Sequence, residues 1–422
     1  MTKRPDRLDV YYGSELVGAI HDTSPLAFEY SPDWLKRPGR MTLATIDLQP
    51  GRNDSDSVQA FFENLLPEGE LRRYLVRERK ASTLFSLLLE VAGDIAGGYI
   101  IVPGGESPEP ASYEPTSWMA IAASLGGRSA SAIDVRAADA RISLAGAQDK
   151  TGIAILDDGV PRLPRGTSPS THILKPDIRR LAKVWHSAAN ETIVMRAAAH
   201  CGLPTAEVFY EPHARSCVVR RFDRVVQPDG TLARLIQYDL CQLAGTVSER
   251  KYEKEGGPGI ATCADLIRRY SAQPAVDLRH FVRWVFFNLH VGNDDGHAKN
   301  LAIHHRPGKG VTLAPFYDLM CTRIYPGLSR EFAFAVGGEY RPALLTKAHL
   351  EGMAQELGMR PQFIAQQAID VARKIPGAFD EAVKDIEPVL PRSARVLAER
   401  LQRFVLSSTR KMVARMEISK VP

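Results

Sequence analysis

Cysteine is scarce in this sequence and never closely paired. Its five cysteines, Cys201, Cys217, Cys241, Cys263 and Cys321, form no C-x-x-C. That excludes a zinc ribbon or a disulfide framework and suits a reducing compartment. Long apolar runs are missing too. The greasiest stretch, residues 84–102, is broken by Glu90, Asp94 and several glycines, so no membrane span is expected. Residues 1–7 lead into a strand pattern and not into an apolar signal core, and a cytoplasmic location is the expectation. There is no internal repeat and no low-complexity tract. Excess charge of one sign is small. A net +5 over 422 residues allows weak attraction to nucleic acid or nucleotides, but an ordinary basic protein shows the same balance.

What is present divides visibly. Residues 103–117 are rich in Pro and Gly, which cannot sustain a helix or a central strand, and read as a linker. Before them, residues 1–102 read as a small α/β unit. Val10-Tyr11-Tyr12 and Leu16 to Ile20 flank Gly13-Ser14-Glu15, a hairpin pattern. Helical spacing around Phe61, Phe62, Leu65 and Leu66 must break at Pro67. Within residues 118–239, strands dominate from about Arg141 to Arg224, with short apolar runs at Ile142 to Leu144, Ile153 to Leu156, His172 to Lys175 and Cys217 to Val219, and a helix from Asn190 to Cys201. Helices take over in residues 240–422: Leu278 to Leu289, Thr346 to Leu357, Pro361 to Lys374 and Ala394 to Met416. A strand-rich segment followed by a helix-rich one predicts an α+β, two-lobed enzyme.

The densest chemistry is Gly292-Asn293-Asp294-Asp295-Gly296-His297-Ala298-Lys299-Asn300, directly after an aromatic helix. Asp295 and Asn300 are five apart, the D-x-x-x-x-N interval of a kinase catalytic loop, where the Asp takes the substrate hydroxyl proton and the Asn holds magnesium. Eighteen residues beyond Asn300, Pro315-Phe316-Tyr317-Asp318 ends in an acid suited to a second magnesium contact. An Asx-rich turn followed by an unrelated Asp gives the same spacing. His297 can be read as a metal ligand, a general base or a hydrogen-bonding loop residue, and His304-His305 as surface strand or turn. The small-residue turn Leu144-Ala145-Gly146-Ala147-Gln148-Asp149-Lys150-Thr151 could turn its N–H groups to phosphate or be an ordinary hairpin. It matches neither G-x-x-x-x-G-K-[ST] nor G-x-G-x-x-G. Lys175 ends an apolar strand, where it either reaches a ligand or snorkels from an edge. Glu191 either pairs with Lys175 or favours the dipole from the first turn of its helix. The eukaryotic-kinase marks V-A-I-K, H-R-D, D-F-G and A-P-E are absent.

These residues, taken in order, resemble the HipA toxin kinases of bacterial toxin–antitoxin systems. The shared segments are Phe61-Phe62-Glu63-Asn64-Leu65-Leu66-Pro67, Ile142 through Thr151, Thr171 through Lys175, Arg221-Phe222-Asp223-Arg224 and Asp239-Leu240-Cys241-Gln242. They continue with Lys251-Tyr252 followed by Gly256-Gly257-Pro258-Gly259, then Asp295 through Asn300, and Pro315 through Asp318. The resemblance implies an ATP-dependent serine/threonine protein kinase with Asp295 as catalytic acid/base and Asn300 and Asp318 as Mg2+ ligands. Ala145, Gly146, Ala147, Gln148, Asp149 and Lys150 would form the phosphate loop, and Lys175 would contact the ATP phosphates. Arg220, Arg221 and Phe222 would supply hinge contacts to adenine, while His297, Ala298, Lys299, Asn300 and Tyr317 would line the nucleotide. Arg220 stands where the best-known member of that family has glutamate, a change tolerated if the adenine contact runs through backbone.

Ser143 aligns with the serine that such kinases phosphorylate on themselves, a dianion that would repel the ATP phosphates and silence the enzyme. The resemblance further implies a HipB-like helix-turn-helix antitoxin partner, operator DNA bound mainly through that antitoxin, and an aminoacyl-tRNA synthetase as the protein substrate. Residues 1–102 would be the family's N-terminal domain, residues 118–239 the N-lobe and residues 240–422 the C-lobe. Two other readings stay open: a small-molecule phosphotransferase on the same scaffold, and a non-catalytic co-repressor.

Overall fold

The computed structural model describes residues 5–91, 93–126, 150–179 and 181–417. Ser143 and the phosphate-loop residues Ala145, Gly146, Ala147, Gln148 and Asp149 lie outside them. The α+β chain divides into two compact units, Met1–Lys175 with Arg220–Glu249, and Pro176–Val219 with Arg250–Pro422.

In the first unit, five antiparallel strands run in the order Arg52–Asn53, Ala27–Tyr30, Glu15–His21, Arg7–Tyr12, Tyr99–Pro103. The expected hairpin turns at Gly13, whose φ of 59° is the left-handed conformation that a two-residue turn requires. A second antiparallel sheet contains His172–Pro176, Thr151–Ile155, Pro161–Arg165 and Ser112–Pro115, in that order. Ser112–Pro115 falls within the Pro-rich stretch expected as linker. It forms an outermost strand, where proline's missing N–H faces no partner.

The Phe61–Pro67 segment is a packing joint. The Phe61 and Phe62 rings lie 5.0 Å apart, Phe62 meets Phe28 at 5.7 Å and Phe61 meets Tyr238 at 6.0 Å. Its polar residues tie down the chain at 246–248. Asn64 donates to the Thr246 carbonyl (2.8 Å), and Glu63 accepts from the Ser248 N–H (2.7 Å) and hydroxyl (2.8 Å).

In the second unit, the helices include Ser187–His200, Ile260–Tyr270, Pro274–Val291, Lys347–Glu356, Pro361–Ile386 and Arg392–Met416. Two hairpins join them, Val208–Glu211 with Ser216–Arg220 and Ala302–Arg306 with Gly310–Leu313. Three sequence expectations are corrected here. The helix expected to stop at Lys374 runs on through Pro376 to Ile386. An internal proline costs about 3 kcal/mol, but Ile375, Ala378, Phe379, Ala382 and Ile386 are all buried and continue the apolar stripe beyond it. Glu191 is not in the first turn of its helix and is 1% exposed. His304 is on a strand but 4% exposed, so it does not face solvent. No described helix is long and apolar enough to cross a membrane.

The deepest polar feature of the first unit is an ionic cluster. Arg221 donates to both Asp223 oxygens (2.9 and 2.7 Å), to Asp94 (3.0 Å) and to the Ile95 carbonyl (2.8 Å). Arg224 donates to Asp94 (2.7 Å) and to the Gly97 carbonyl (2.9 Å), while the Gly97 N–H returns a bond to Asp223 (2.8 Å). All four charged side chains are at most 4% exposed. Burial alone would raise both carboxyls, yet Arg221 and Arg224 outweigh it, holding Asp94 far below the usual range and Asp223 at about 2. Arg234, 3.4 Å from Asp94, carries the excess positive charge, and burial pushes it down to about 10.

Removing one acid from this cluster strands its cations. The Asp94→Ala protein should lose about 3–5 kcal/mol of stability, read as a lower chemical-denaturation midpoint at neutral pH. A depressed folded pKa adds stability fully above the unfolded aspartate value of about 4. That stability is lost as pH falls through the folded values, about 2 for Asp223 and lower still for Asp94. The gap between wild type and variant should therefore narrow below about pH 4. An unchanged midpoint at neutral pH contradicts this account.

Candidate active site

Helix Pro274–Val291 lays the floor. Pro274 opens it in the first turn, where a missing N–H costs nothing, and Gly292 closes it at φ 74°. Phe281, Trp284, Phe286 and Phe287 are fully buried. Asn288 sets the exit direction. Its backbone carbonyl accepts from the Gly292 N–H (3.0 Å) and the Asn293 N–H (2.9 Å). Its side-chain oxygen accepts from the Asn293 amide (2.7 Å).

The two aspartates that follow have opposite fates. Asp294 is buried, and Arg323 grips both its oxygens at 2.7 and 2.5 Å. The Gly292 carbonyl accepts from the Arg323 N–H (3.1 Å), and the Thr322 hydroxyl accepts from the Asp294 N–H (2.9 Å). Asp295 is exposed, although both sequence neighbours are buried. Gly296 lies on aromatic rings, since a Cβ there would come within 3.2 Å of Trp284 and 3.3 Å of Phe332. The expected five-residue interval is a physical contact: the Asn300 amide nitrogen donates to the Asp295 carbonyl (3.1 Å).

Asp318 is fixed from both sides. Before it, the Phe316 N–H donates to the Pro204 carbonyl (2.7 Å), the Phe316 carbonyl accepts from Ala206 (2.9 Å), and the Phe316 ring sits 6.0 Å from Trp284. The Tyr317 hydroxyl donates to the Lys299 carbonyl (3.1 Å). After it, the Asn190 side chain brackets Cys321, accepting from its N–H (2.9 Å) and donating to its carbonyl (3.0 Å). Between these anchors Asp318 takes a φ of 60°, a left-handed conformation that aspartate tolerates better than most residues and that clusters at functional sites.

His297 is 4% exposed. Burial, aided by the Lys251 and Lys299 charges, holds its imidazole well below its ordinary pKa, while the Asp318 charge opposes them. It is a neutral ring inside the loop. No group of three or more His, Cys, Asp or Glu side chains able to hold a metal occurs among the described residues. Asn300 and Asp318 offer instead an amide oxygen and a carboxylate. Those hard donors fit Mg2+ when phosphate oxygens and water complete its shell.

The remaining expected residues, Lys150, Lys175, Arg220, Arg221 and Phe222, lie in the first unit. Lys175 is 4% exposed, which removes edge snorkelling as its explanation. The Arg221 side chain is committed to the ionic cluster and its N–H to the Thr171 carbonyl (2.9 Å). Any ligand contact from Arg221 is therefore restricted to its own carbonyl. Arg220 is exposed and Phe222 half-buried.

With this geometry in view, the family model described as the HipA-like C-terminal domain matches residues 142–379, and that of the HipA N-terminal domain matches residues 8–100. The chain belongs to the HipA family. A Sinorhizobium fredii protein named as a kinase, Y4mE, is 32% identical over 92% of this chain and 94% of its own length. The serine/threonine-protein kinase toxin HipA of Shewanella oneidensis is 26% identical over 90% of each. A chain of the solved complex of S. oneidensis HipA, HipB and operator DNA matches with a TM-score of 0.80 and 25% identity, over 98% of this chain and 99% of that one. The α+β kinase-like fold expected from the sequence is thus the HipA fold.

Three residues of this HipA-family site carried no role in the sequence reading. Asn190 and Arg323 gave no local signal, because each acts on a distant segment. Tyr252 lay in a matched segment, and its hydroxyl donates to Asp295 Oδ1 at 2.5 Å. Replacing Arg323 tests the loop anchor. Arg323→Met removes the ion-pair partner of the buried Asp294 carboxylate, a loss of about 3 kcal/mol. Amide hydrogen exchange should accelerate across residues 292–300 while the first unit keeps its protection. Unaltered exchange in that loop would show that the pair does not hold it.

Proposed function

We propose that this chain is an ATP-dependent serine/threonine protein kinase that acts as a toxin in the cytoplasm. The observation that carries this reading is the contrast within one rigid loop. Asp295 alone is exposed, its carbonyl is bound by Asn300, and Asp318 stands close enough for its charge to act on His297. In the reaction, a substrate hydroxyl oxygen bonds to the γ-phosphorus of ATP as its proton passes to Asp295. The bond from the γ-phosphorus to the bridging oxygen breaks, and the electron pair leaves with ADP. Asn300 and Asp318 would hold Mg2+, which supplies charge neutralisation at the phosphates. Lys175 would contact those phosphates, with Ala145 through Lys150 as the phosphate loop. Arg220, the Arg221 carbonyl and Phe222 would meet adenine, while His297, Ala298, Lys299 and Tyr317 line the nucleotide.

The relatives support the wider reading. The Shewanella oneidensis HipA is a named serine/threonine kinase toxin, and its solved complex contains HipB and operator DNA. We assign this chain a HipB-like helix-turn-helix antitoxin, DNA contact mainly through that partner, and an aminoacyl-tRNA synthetase as substrate. Residues 1–102, 118–239 and 240–422 serve as N-terminal domain, N-lobe and C-lobe.

Incubation of wild type and Asp295→Ala with radiolabelled ATP and whole-cell lysate is the direct test. Wild type should label a protein band, identifiable as a synthetase, and the variant should label it at least about 100-fold less. Label on a metabolite instead of a protein would overturn the protein-kinase reading. A separate measurement concerns Ser143. Intact-mass analysis after ATP incubation should show one added phosphate on wild type and none on Ser143→Ala, and equal masses would remove the autophosphorylation assignment.

A further inference from the structure

The segment from Lys251 to Gly259 is matched in the family, but the reaction described above gives it no task. It is built with unusual backbone constraint. The Tyr252 carbonyl accepts from the Glu255 N–H (3.0 Å) and the Gly257 N–H (2.9 Å), folding the chain back on itself. A Cβ at Gly257 would lie 2.1 Å from the Arg250 carbonyl oxygen and 2.8 Å from that of Tyr252. Only glycine lets the strands of this turn approach so closely. Glu253 then fastens the turn to the body of the unit, accepting from the Ala335 N–H at 2.6 Å, while its own N–H donates to the Ala333 carbonyl (3.3 Å).

This fastening presents one side chain to the loop of Asp295. The Tyr252 ring meets the buried His297 ring edge to face, with centroids 5.3 Å apart and planes at 82°. Lys251 Nζ lies 5.7 Å from the centroid of the same ring, within cation–π range. The ring therefore has a fixed seat, and its hydroxyl reaches Asp295 Oδ1 at 2.5 Å. The last torsion of an aspartate is broad and roughly two-fold, and a bond to one oxygen narrows it. A charge-assisted O–H···O⁻ bond of this length is of the strong kind.

We infer that Tyr252 is a positioning residue for phosphoryl transfer: it holds Oδ1 of Asp295 and thereby turns Oδ2 toward the substrate hydroxyl. The inference rests on the reading of Asp295 as the proton acceptor. A hydroxyl group that aligns the acceptor contributes mainly when the proton moves, so its loss reduces turnover and leaves substrate binding unchanged.

The test uses the full chain, with initial rates of radiolabelled phosphate transfer to the lysate protein labelled by wild type, varying ATP and lysate separately. Tyr252→Phe keeps the ring on His297 and removes only the hydroxyl. It should lower the maximal rate by about 10- to 100-fold, the weight of one hydrogen bond to a charged group, with both half-saturation concentrations unchanged. Asp295→Ala and the double variant are run beside it. With the carboxylate gone, the hydroxyl has nothing to align, so the double variant should be no slower than Asp295→Ala alone.

Wild-type turnover in Tyr252→Phe, with Asp295→Ala inactive, overturns the inference and leaves the Asp295 reading intact. So does a lower half-saturation for the lysate protein without loss of rate, because the hydroxyl would then be competing with substrate. A further multiplicative loss in the double variant shows that Tyr252 acts apart from Asp295, and also overturns it. Should Asp295→Ala retain wild-type turnover, the reading of Asp295 fails first and the role of Tyr252 falls with it.

Discussion

A carboxylate that faces solvent is only as well aimed as the backbone beneath it. In this chain that backbone is held by the paired charges of Asp294 and Arg323, with Asn288 fixing the point where the loop leaves its helix. The Asp294-Asp295 doublet thus divides two tasks that one residue could not perform. One acid is buried and gives up its freedom to fix the loop. Its neighbour is exposed and, in the proposed reaction, takes the proton. Exposed ion pairs contribute little to such rigidity, so the burial of Asp294 is what gives the contact its weight.

The same division recurs at Arg220 and Arg221. Arg220 ends the strand Ser216–Arg220 and is exposed, while Arg221, just beyond it, enters the ionic cluster with Asp94, Asp223 and Arg224. That cluster also draws in the Ile95 and Gly97 carbonyls and the Ser170 N–H. Segments far apart in sequence are locked around the residue immediately before Phe222. The matched Arg221-Phe222-Asp223-Arg224 segment is accordingly a structural joint.

The sequence was most informative where the signal is local. The hairpin around Gly13, the aromatic helix ahead of the loop and the five-residue interval from Asp295 to Asn300 were readable from spacing and turn chemistry. Long-range effects were not. Nothing near Pro376 announces that buried residues on both sides would carry the helix through it. Nothing near His304 reveals that its strand face is covered. Asn190 and Arg323 act across more than a hundred and almost thirty positions respectively, and no pattern window contains both partners. Tyr252 is the intermediate case: its segment was visible as a matched stretch, but its target was not.

The left-handed backbone at Asp318 carries a consequence for substitution. A Cβ-bearing residue there pays roughly 1–2 kcal/mol unless its side chain is short and able to hydrogen-bond locally, as in Asp and Asn. Asparagine is therefore the replacement that neutralises this acid while leaving the chain path intact, whereas alanine or glutamate would alter geometry as well. A copy of this protein without the acid at position 318, but with the native chain path on either side of it, would best be made by that single amide.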